Sequence, residues 1–255
     1  MNPVLVLTRL YITESMRRQL HLITLFLAVM ILVLPTLFNA FGMTGFDRVT
    51  KDVGLTLLGL YAVGMALFLG STALPGDIEQ RTLHPLLARP ISRMQYLLGK
   101  FLGYLVVMGA SMAVLGLALL TALAVLGTHA DPAVLIPVSF YVLEAGILGA
   151  FCLFASTFCS PALAGVLGCF LYIVGGIPQT FITFFLSSGG TQVQGALVRA
   201  IRLIMPHFDV LHLKDPIVHG ETIPGGYLLA AFAYGLVWMV LFLLLADWSF
   251  ERRDL

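Results

Sequence analysis

Glu144 is the one acidic residue that lies well inside an apolar stretch of this sequence, about ten residues after Val134. A charged side chain is costly inside a bilayer, so an intramembrane carboxylate usually faces the interior of a helix bundle or a wet cavity. Three roles stay open for Glu144 from its position alone. It lines a transport path, it anchors a dimer, or it is a protonated, hydrogen-bonded group with no part in transport.

The residues that follow Glu144 are small at helical spacing. Ala145 and Gly149 form one small-xxx-small pair, and Gly146 and Ala150 form a second. Such pairs let two helix backbones approach closely in a membrane. We therefore expect the face that carries Glu144, Gly146 and Gly149 to pack against another helix. We assign it to a translocation path or a dimer interface, and the small residues favour assembly over catalysis.

A second set of polar residues has side chains that could bind a metal or transfer protons. Its members are His207, Asp209, His212, Lys214, Asp215 and His219. Their spacing matches no zinc signature, and the helical motif H-E-x-x-H is absent. The three cysteines form no C-x-x-C pair. We therefore predict no metal site in this chain, and we interpret the histidines as ordinary residues of a solvated external loop.

These residues must be positioned by helices that cross a membrane. The sequence has 255 residues, of which 59% are hydrophobic and 11% are charged, whereas roughly 25% are charged in a soluble domain. Six apolar stretches are long enough to cross about 30 Å of hydrocarbon as helices. They are residues 20–38, 53–74, 101–126, 134–158, 162–186 and 227–246. We predict an all-α membrane protein with six transmembrane helices in a single domain, residues 1–255. The net charge of +1 excludes a basic nucleic-acid-binding protein.

The placement of lysine and arginine predicts the orientation of these helices, because cytoplasmic loops carry more of them. One predicted side holds nine of the 14 basic residues: Arg9, Arg17, Arg18, Arg81, Arg89, Arg93, Lys100, Arg252 and Arg253. The other side holds five: Arg48, Lys51, Arg199, Arg202 and Lys214. We therefore expect a protein of the inner (plasma) membrane with both termini in the cytoplasm.

Three segments outside a regular span have patterns of their own. Residues 1–18 alternate apolar and charged side chains, which favours an amphipathic helix along the inner membrane surface over an ordinary charged flank. Residues 187–226 form an external loop, in which residues 196–205 have the spacing of a short interfacial helix. The fifth stretch is interrupted by Gly175-Gly176-Ile177-Pro178, which predicts a kink. Backbone groups that lose their helical hydrogen bonds at membrane depth must bond to protein or to water in a cavity. We therefore add Pro178 and Gln179 to the candidate translocation or dimer-interface residues. The alternative is a tolerated kink with no functional role.

Residues 77–100 form a polar hairpin on the predicted cytoplasmic side. Thr82 is a plausible N-cap for a short helix that ends at Pro90, and Ser92 with Gln95 fits the capping box that opens the third span. An isolated helix of two turns is marginal in water, so its leucine face must pack on a partner protein or on neighbouring helices. Both possibilities stay open from the residues alone. The residues that we assign to coupling with a partner are Glu79, Arg81, Thr82, Leu83, Leu86, Leu87, Arg89 and Arg93.

The stretch DIEQRTLHPLLARPISRMQYLLGKFLG resembles the coupling-helix region of type-2 ABC transporter permeases, the membrane subunits of ABC exporters. The stretch CLFASTFCSPALAGVLGCFLYIVGG and the C-terminal FERRDL are also similar to this family, the latter including permeases of the nitrous-oxide-reductase maturation type. The resemblance implies an N-terminal elbow helix (residues 1–18), six spans and a coupling helix between the second and third. It also implies a dimer, homomeric or with a related chain, in membrane lipid and bound to two ATPase subunits.

The chain has no G-x-x-x-x-G-K-[ST] motif for nucleotide binding, because Phe101 follows Gly99-Lys100 and Met94 occupies the upstream glycine position. We therefore expect no cofactor and no enzymatic activity in this chain, with ATP and Mg on the partner subunit.

Two other functions stay open. A secondary transporter or channel driven by an ion gradient fits the broken fifth stretch and Glu144, although only one broken helix is visible. A membrane scaffold of a larger complex is the other. The sequence does not name a substrate.

Overall fold

The computed structural model describes residues 3–17, 19–40, 47–73, 92–125, 132–177 and 205–251, and these ranges contain helices and no strand. We number the α-helices of the described ranges in chain order. They are α1 (Pro3–Arg17), α2 (Leu20–Ala40), α3 (Asp47–Thr72), α4 (Arg93–Val125), α5 (Leu135–Ser156), α6 (Pro161–Gly175), α7 (Lys214–Val218) and α8 (Gly225–Glu251). Short 3-10 turns lie at Pro132–Val134 and Phe208–Leu211. The prediction of an all-helical fold is confirmed for this part of the chain.

Four of the described helical stretches are long and apolar enough to cross a membrane: Arg48–Thr72, Arg93–Val125, Pro132–Ser156 and Gly225–Phe250. A fifth is possible if Pro3–Arg17 and His21–Val33, bent by 64°, count as one span. The apolar helix α6 is shorter and ends at Gly175, where the sequence predicts an interruption. Residues 178–204 lie outside the described ranges, so the second half of the predicted fifth span (162–186), the total of six spans, the interfacial helix at 196–205 and the roles of Pro178 and Gln179 stay predictions.

The amphipathic pattern of the first residues does produce a helix, α1. Its buried residues, Leu7, Tyr11 and Ser15, follow one another at intervals of four and form a single face. This face packs on the start of α4, where Gly99 lies against Leu7 and Gly103 lies against Tyr11. Beyond α1 the chain changes direction at Gln19, which has a positive φ of 57°.

Helix α5 occupies the centre of the bundle and packs on α3, α4, α6 and α8. Its small residues allow this crowding. A Cβ atom at Gly146 would lie 2.5 Å from Cε of Met239 on α8, and a Cβ at Gly149 would collide with the ring of Tyr104 on α4. The close approach that the small-xxx-small pairs predict is therefore found, and it joins helices of the same chain.

Two ends of the bundle are distinguished by their contacts. At one, which we name the Arg93 end, the start of α4 meets α1 and the end of α8: Lys100 pairs with Glu14, and Arg93 donates to the Phe250 carbonyl. At the other, the Lys214 end, Lys214 lies 2.8 Å from Asp52 near the start of α3. The α1 helix and the end of α8 thus lie at the same end of the bundle.

Candidate functional site

The Glu144 carboxylate is buried in the bundle near the Lys214 end and is hydrogen bonded to a histidine. Nε2 of His212 donates to Oε1 of Glu144 over 3.0 Å. The Glu144 side chain is 2% exposed, whereas that of His212 is 35% exposed. A buried charge is stable only when it is paired and hydrogen bonded. His212 therefore hydrogen bonds the buried carboxylate of α5 on one side and is partly exposed on the other.

His212 reaches Glu144 because the segment that carries it packs on the bundle. We name residues 205–224 the strap; it comprises the 3-10 turn Phe208–Leu211, helix α7 and their flanks. Four of its apolar side chains are buried: Phe208, Leu211, Leu213 and Ile217. The Phe208 ring lies 5.4 Å from that of Tyr172, and the chain before it passes directly over Gly175.

Polar contacts tie the strap to other helices as well. Lys214 pairs with Asp52 at 2.8 Å and donates to the Thr56 hydroxyl at 3.0 Å, which joins the strap to α3. On α8, the Tyr227 hydroxyl donates to the Val210 carbonyl at 2.9 Å, and the Tyr234 hydroxyl accepts from the His207 amide at 2.7 Å. The strap therefore contacts α3, α5, α6 and α8.

The pKa of His212 is raised above its ordinary value by its surroundings. Burial acts in the opposite direction, but the hydrogen bond and the negative charge of Glu144 outweigh it, with smaller contributions from Asp209 and Asp215. The Tyr172 ring stands edge-on to the His212 ring at 6.4 Å, and its hydroxyl interacts with the Glu144 carboxylate. The arrangement can hold a proton between an imidazole and a carboxylate.

The interpretation of His207 and His212 as ordinary residues of a solvated loop is wrong. The strap is partly buried, and each of these histidines bonds a helix residue, Tyr234 and Glu144 respectively. The sequence does contain a signal of this burial, which is the series of apolar residues between the polar residues of the strap. Four large apolar side chains within ten residues indicate burial, and a buried histidine needs a polar partner. Among the described residues, no group of His, Cys, Asp and Glu could hold a metal ion.

A second cluster forms at the Arg93 end, where α4 begins. The predicted capping box is present: the Gln95 amide donates to the Ser92 hydroxyl, and the Gln95 side chain accepts from the Ser92 amide, both at 3.2 Å. The Arg93 guanidinium donates to the Phe250 carbonyl at 2.5 Å and lies 5.5 Å from the centre of its ring. Residues 74–91 therefore lead directly into a helix start that is fixed to α8.

The comparisons with known proteins address the class of molecule. Residues 50–255 match the family model described as ABC-2 family transporter protein. The chain belongs to the ABC-2 transporter family. A search of curated proteins finds no match. This ABC-2 permease is thus a multi-pass membrane protein, a membrane subunit of an ABC transporter, and the family implies pairing with an ABC ATPase.

The described part of the permease brings together only some of the residues predicted for its sites. Glu144, Gly146 and Gly149 lie on the central helix α5 and are buried. Arg93 lies at the start of α4. The remaining coupling residues lie outside the described ranges: Glu79, Arg81, Thr82, Leu83, Leu86, Leu87 and Arg89. Their assignment, and that of Gly146 and Gly149 to a pathway or a dimer interface, stays a prediction.

Proposed function

We propose that this permease couples ATP hydrolysis on a separate subunit to the export of a substrate, or to mechanical work across the membrane. In this proposal residues 77–100 dock on the ATPase, with Leu83, Leu86 and Leu87 in a hydrophobic groove. The observation that carries the proposal is the match of residues 50–255 to the ABC-2 family. The contacts of the Arg93 end support it.

In this proposal the contacts of the Arg93 end transmit a displacement of residues 74–91 to the helices of the bundle. The Thr8 hydroxyl donates to the Gly99 carbonyl at 3.2 Å, so α1 is fixed to the first turns of α4. Arg93 and the Tyr96 ring, 6.4 Å from the Phe250 ring, fix α8 to the same turns. Packed elements of this kind move as rigid bodies between discrete arrangements. A push on the start of α4 is therefore shared by α1 and α8.

The rest of the assembly follows from the same proposal. Helix α1 is the elbow helix on the cytoplasmic membrane surface, six spans cross the inner membrane, and both termini are cytoplasmic. Two permease copies, identical or related, pair with two ATPase subunits that hold ATP and Mg. The narrower grouping with permeases of the nitrous-oxide-reductase maturation type rests on the C-terminal residues and belongs to the proposal too.

Replacement of Leu83 and Leu86 by aspartate tests the docking. Burial of two leucines contributes about 3 kcal/mol or more, so we expect the affinity for the ATPase to fall roughly a hundredfold. The measurement is co-purification of the ATPase with the tagged permease from membranes. Leu83→Met with Leu86→Met is the matched control, because it keeps an apolar face of similar volume. Equal ATPase recovery with the aspartate variant, at equal permease yield, would contradict the proposal.

The buried Glu144–His212 pair supports a second candidate, a transporter driven by a proton gradient. An intramembrane carboxylate paired with a histidine is the type of group that relays protons. Liposomes that contain the permease without an ATPase separate the two candidates. Substrate or proton flux driven by a pH gradient, and lost in Glu144→Gln, would favour the second; the ABC exporter requires the ATPase and ATP.

A further inference from the structure

The strap is held by ties of different chemistry, and they respond differently to pH. The contact with Tyr227 uses the Val210 carbonyl, which does not titrate, whereas the contact with Tyr234 uses the His207 amide together with the His207 imidazole, 3.2 Å from the Tyr234 hydroxyl. The Lys214–Asp52 pair is partly exposed, with half of the Asp52 side chain accessible. The His212–Glu144 tie is buried on one side and contains an imidazole, the side chain that titrates near neutral pH.

We propose that His212 and Glu144 form a proton-binding latch, which holds the strap on the bundle while the imidazole is protonated and releases it when the proton leaves. In this proposal His212, whose side chain is 35% exposed, exchanges its proton with solvent on the side of the strap. The Glu144 carboxylate is buried beneath the imidazole. Loss of the imidazolium leaves a buried carboxylate with a weaker, neutral donor, and a buried charge without compensation is unfavourable. Opening of the strap hydrates that carboxylate.

The charges around the latch determine the direction of its pH dependence. On the strap itself Asp209 and Asp215 act on His212; Tyr172 on α6 and Tyr141 on α5 lie near Glu144; and Asp52 on α3 is neutralised by Lys214. The acidic groups raise the pKa of His212 in the closed state. A group whose pKa is raised by closure stabilises the closed state below its free value, about 6.5, and this stabilisation is lost as the pH rises through the raised value.

Hydrogen exchange of the full-length permease in lipid nanodiscs tests the latch. The observable is the protection of peptides that cover residues 205–224 between pH 6 and 9, with the intrinsic exchange rate taken from an unstructured peptide of the same sequence. We expect the closed-to-open ratio to fall by up to tenfold per pH unit above about 6.5, until the pKa of the closed state is passed. His219→Gln is the matched control. His219 is exposed and bonds the Asp215 carbonyl of its own turn, so this variant should keep the pH step.

Two substitutions of His212 have opposite expected results. His212→Gln removes the charge, so its strap should exchange fast at all pH values. His212→Lys keeps a positive charge through pH 9, so protection should stay high and lose the step. A pH step that persists in both variants would overturn the proposal. So would a strap of the unsubstituted permease that shows no step. The latch goes beyond ATPase coupling and needs no ATPase for its test, so its failure would leave the proposed function untouched.

Discussion

Lys100 is the charged side chain with the least exposure in the described part of the permease, and its environment is asymmetric. Its side chain is 1% exposed, whereas that of Glu14, whose Oε2 lies 3.5 Å from the Lys100 ammonium, is 32% exposed. The ammonium also lies 5.3 Å from the centre of the Tyr11 ring. A buried charge loses far more than an exposed one when its counter-charge is removed, because water cannot replace the lost partner. The two residues of the pair are therefore not equivalent.

This asymmetry predicts different costs for the two single substitutions. Glu14→Gln removes this carboxylate from beside the buried ammonium and should lower the free energy of unfolding by about 3 kcal/mol. Lys100→Met leaves a carboxylate that water can solvate and should cost about 1 kcal/mol or less. Thermal unfolding in a mild detergent measures both. The double variant should resemble Lys100→Met, and equal losses in the two single variants would contradict the argument.

At the scale of elements, the close packing of α4 on α5 depends on glycine. The Tyr104 hydroxyl donates to the Ala145 carbonyl over 2.6 Å, and its ring occupies the space beside Gly149. The backbone of Gly149 also lies against α3, because a Cβ at Gly70 would be 3.0 Å from Cα of Gly149. One residue of α5 thus serves two contacts. A side chain there has no room to adjust in either direction.

Gly149→Ala should therefore destabilise the permease. The new methyl group collides with the Tyr104 ring and forces it away from its acceptor, and such overpacking costs typically about 1–3 kcal/mol. Gly109→Ala on α4 is the matched control, because no heavy atom lies within 4 Å of its added Cβ. The measurement is again the shift of the unfolding transition in detergent. A loss of equal size at both positions would show that helix packing at Gly149 is not responsible.

The sequence predicts these elements well where the pattern is local. The helix start at Ser92 to Gln95 and the amphipathic α1 depend on residues within one or two turns, and both are found. The partners of Glu144 depend on contacts between positions 68 residues apart. No spacing rule encodes such a contact. Apolar burial of the strap, and not the histidine pattern, brings His212 to Glu144.

At the scale of the whole molecule, the helices alternate in direction and separate the two ends of the bundle. Helix α3 begins near Lys214, α4 begins near α1, and α8 begins at the strap and ends against Arg93. Large apolar side chains stay exposed on the outward faces of α2, α6 and α8, among them Phe26, Val166 and Leu229. This is the distribution expected where lipid is the solvent.

The two ends should differ in access from outside intact cells. We expect a membrane-impermeant maleimide to label Glu221→Cys, at an exposed position of the strap, before the membrane is opened. Gln80→Cys should be labelled only after permeabilisation, because the proposed orientation places residues 77–100 in the cytoplasm. The unsubstituted permease gives the background from its native cysteines. External labelling of Gln80→Cys would show that residues 77–100 face outward, and it would contradict their docking on a cytoplasmic ATPase.

The length of α6 has a consequence for the bilayer around the permease. Its 15 residues, from a start capped by the Ser160 hydroxyl to Gly175, extend about 22 Å, whereas a typical hydrocarbon core is about 30 Å thick. Phe208 of the strap covers the Gly175 end with apolar surface. The strap therefore adds apolar surface at the end of a helix that is shorter than the hydrocarbon core. If the proposed latch opens, that surface leaves the end of α6, and we expect membranes of shorter acyl chains to favour the open state.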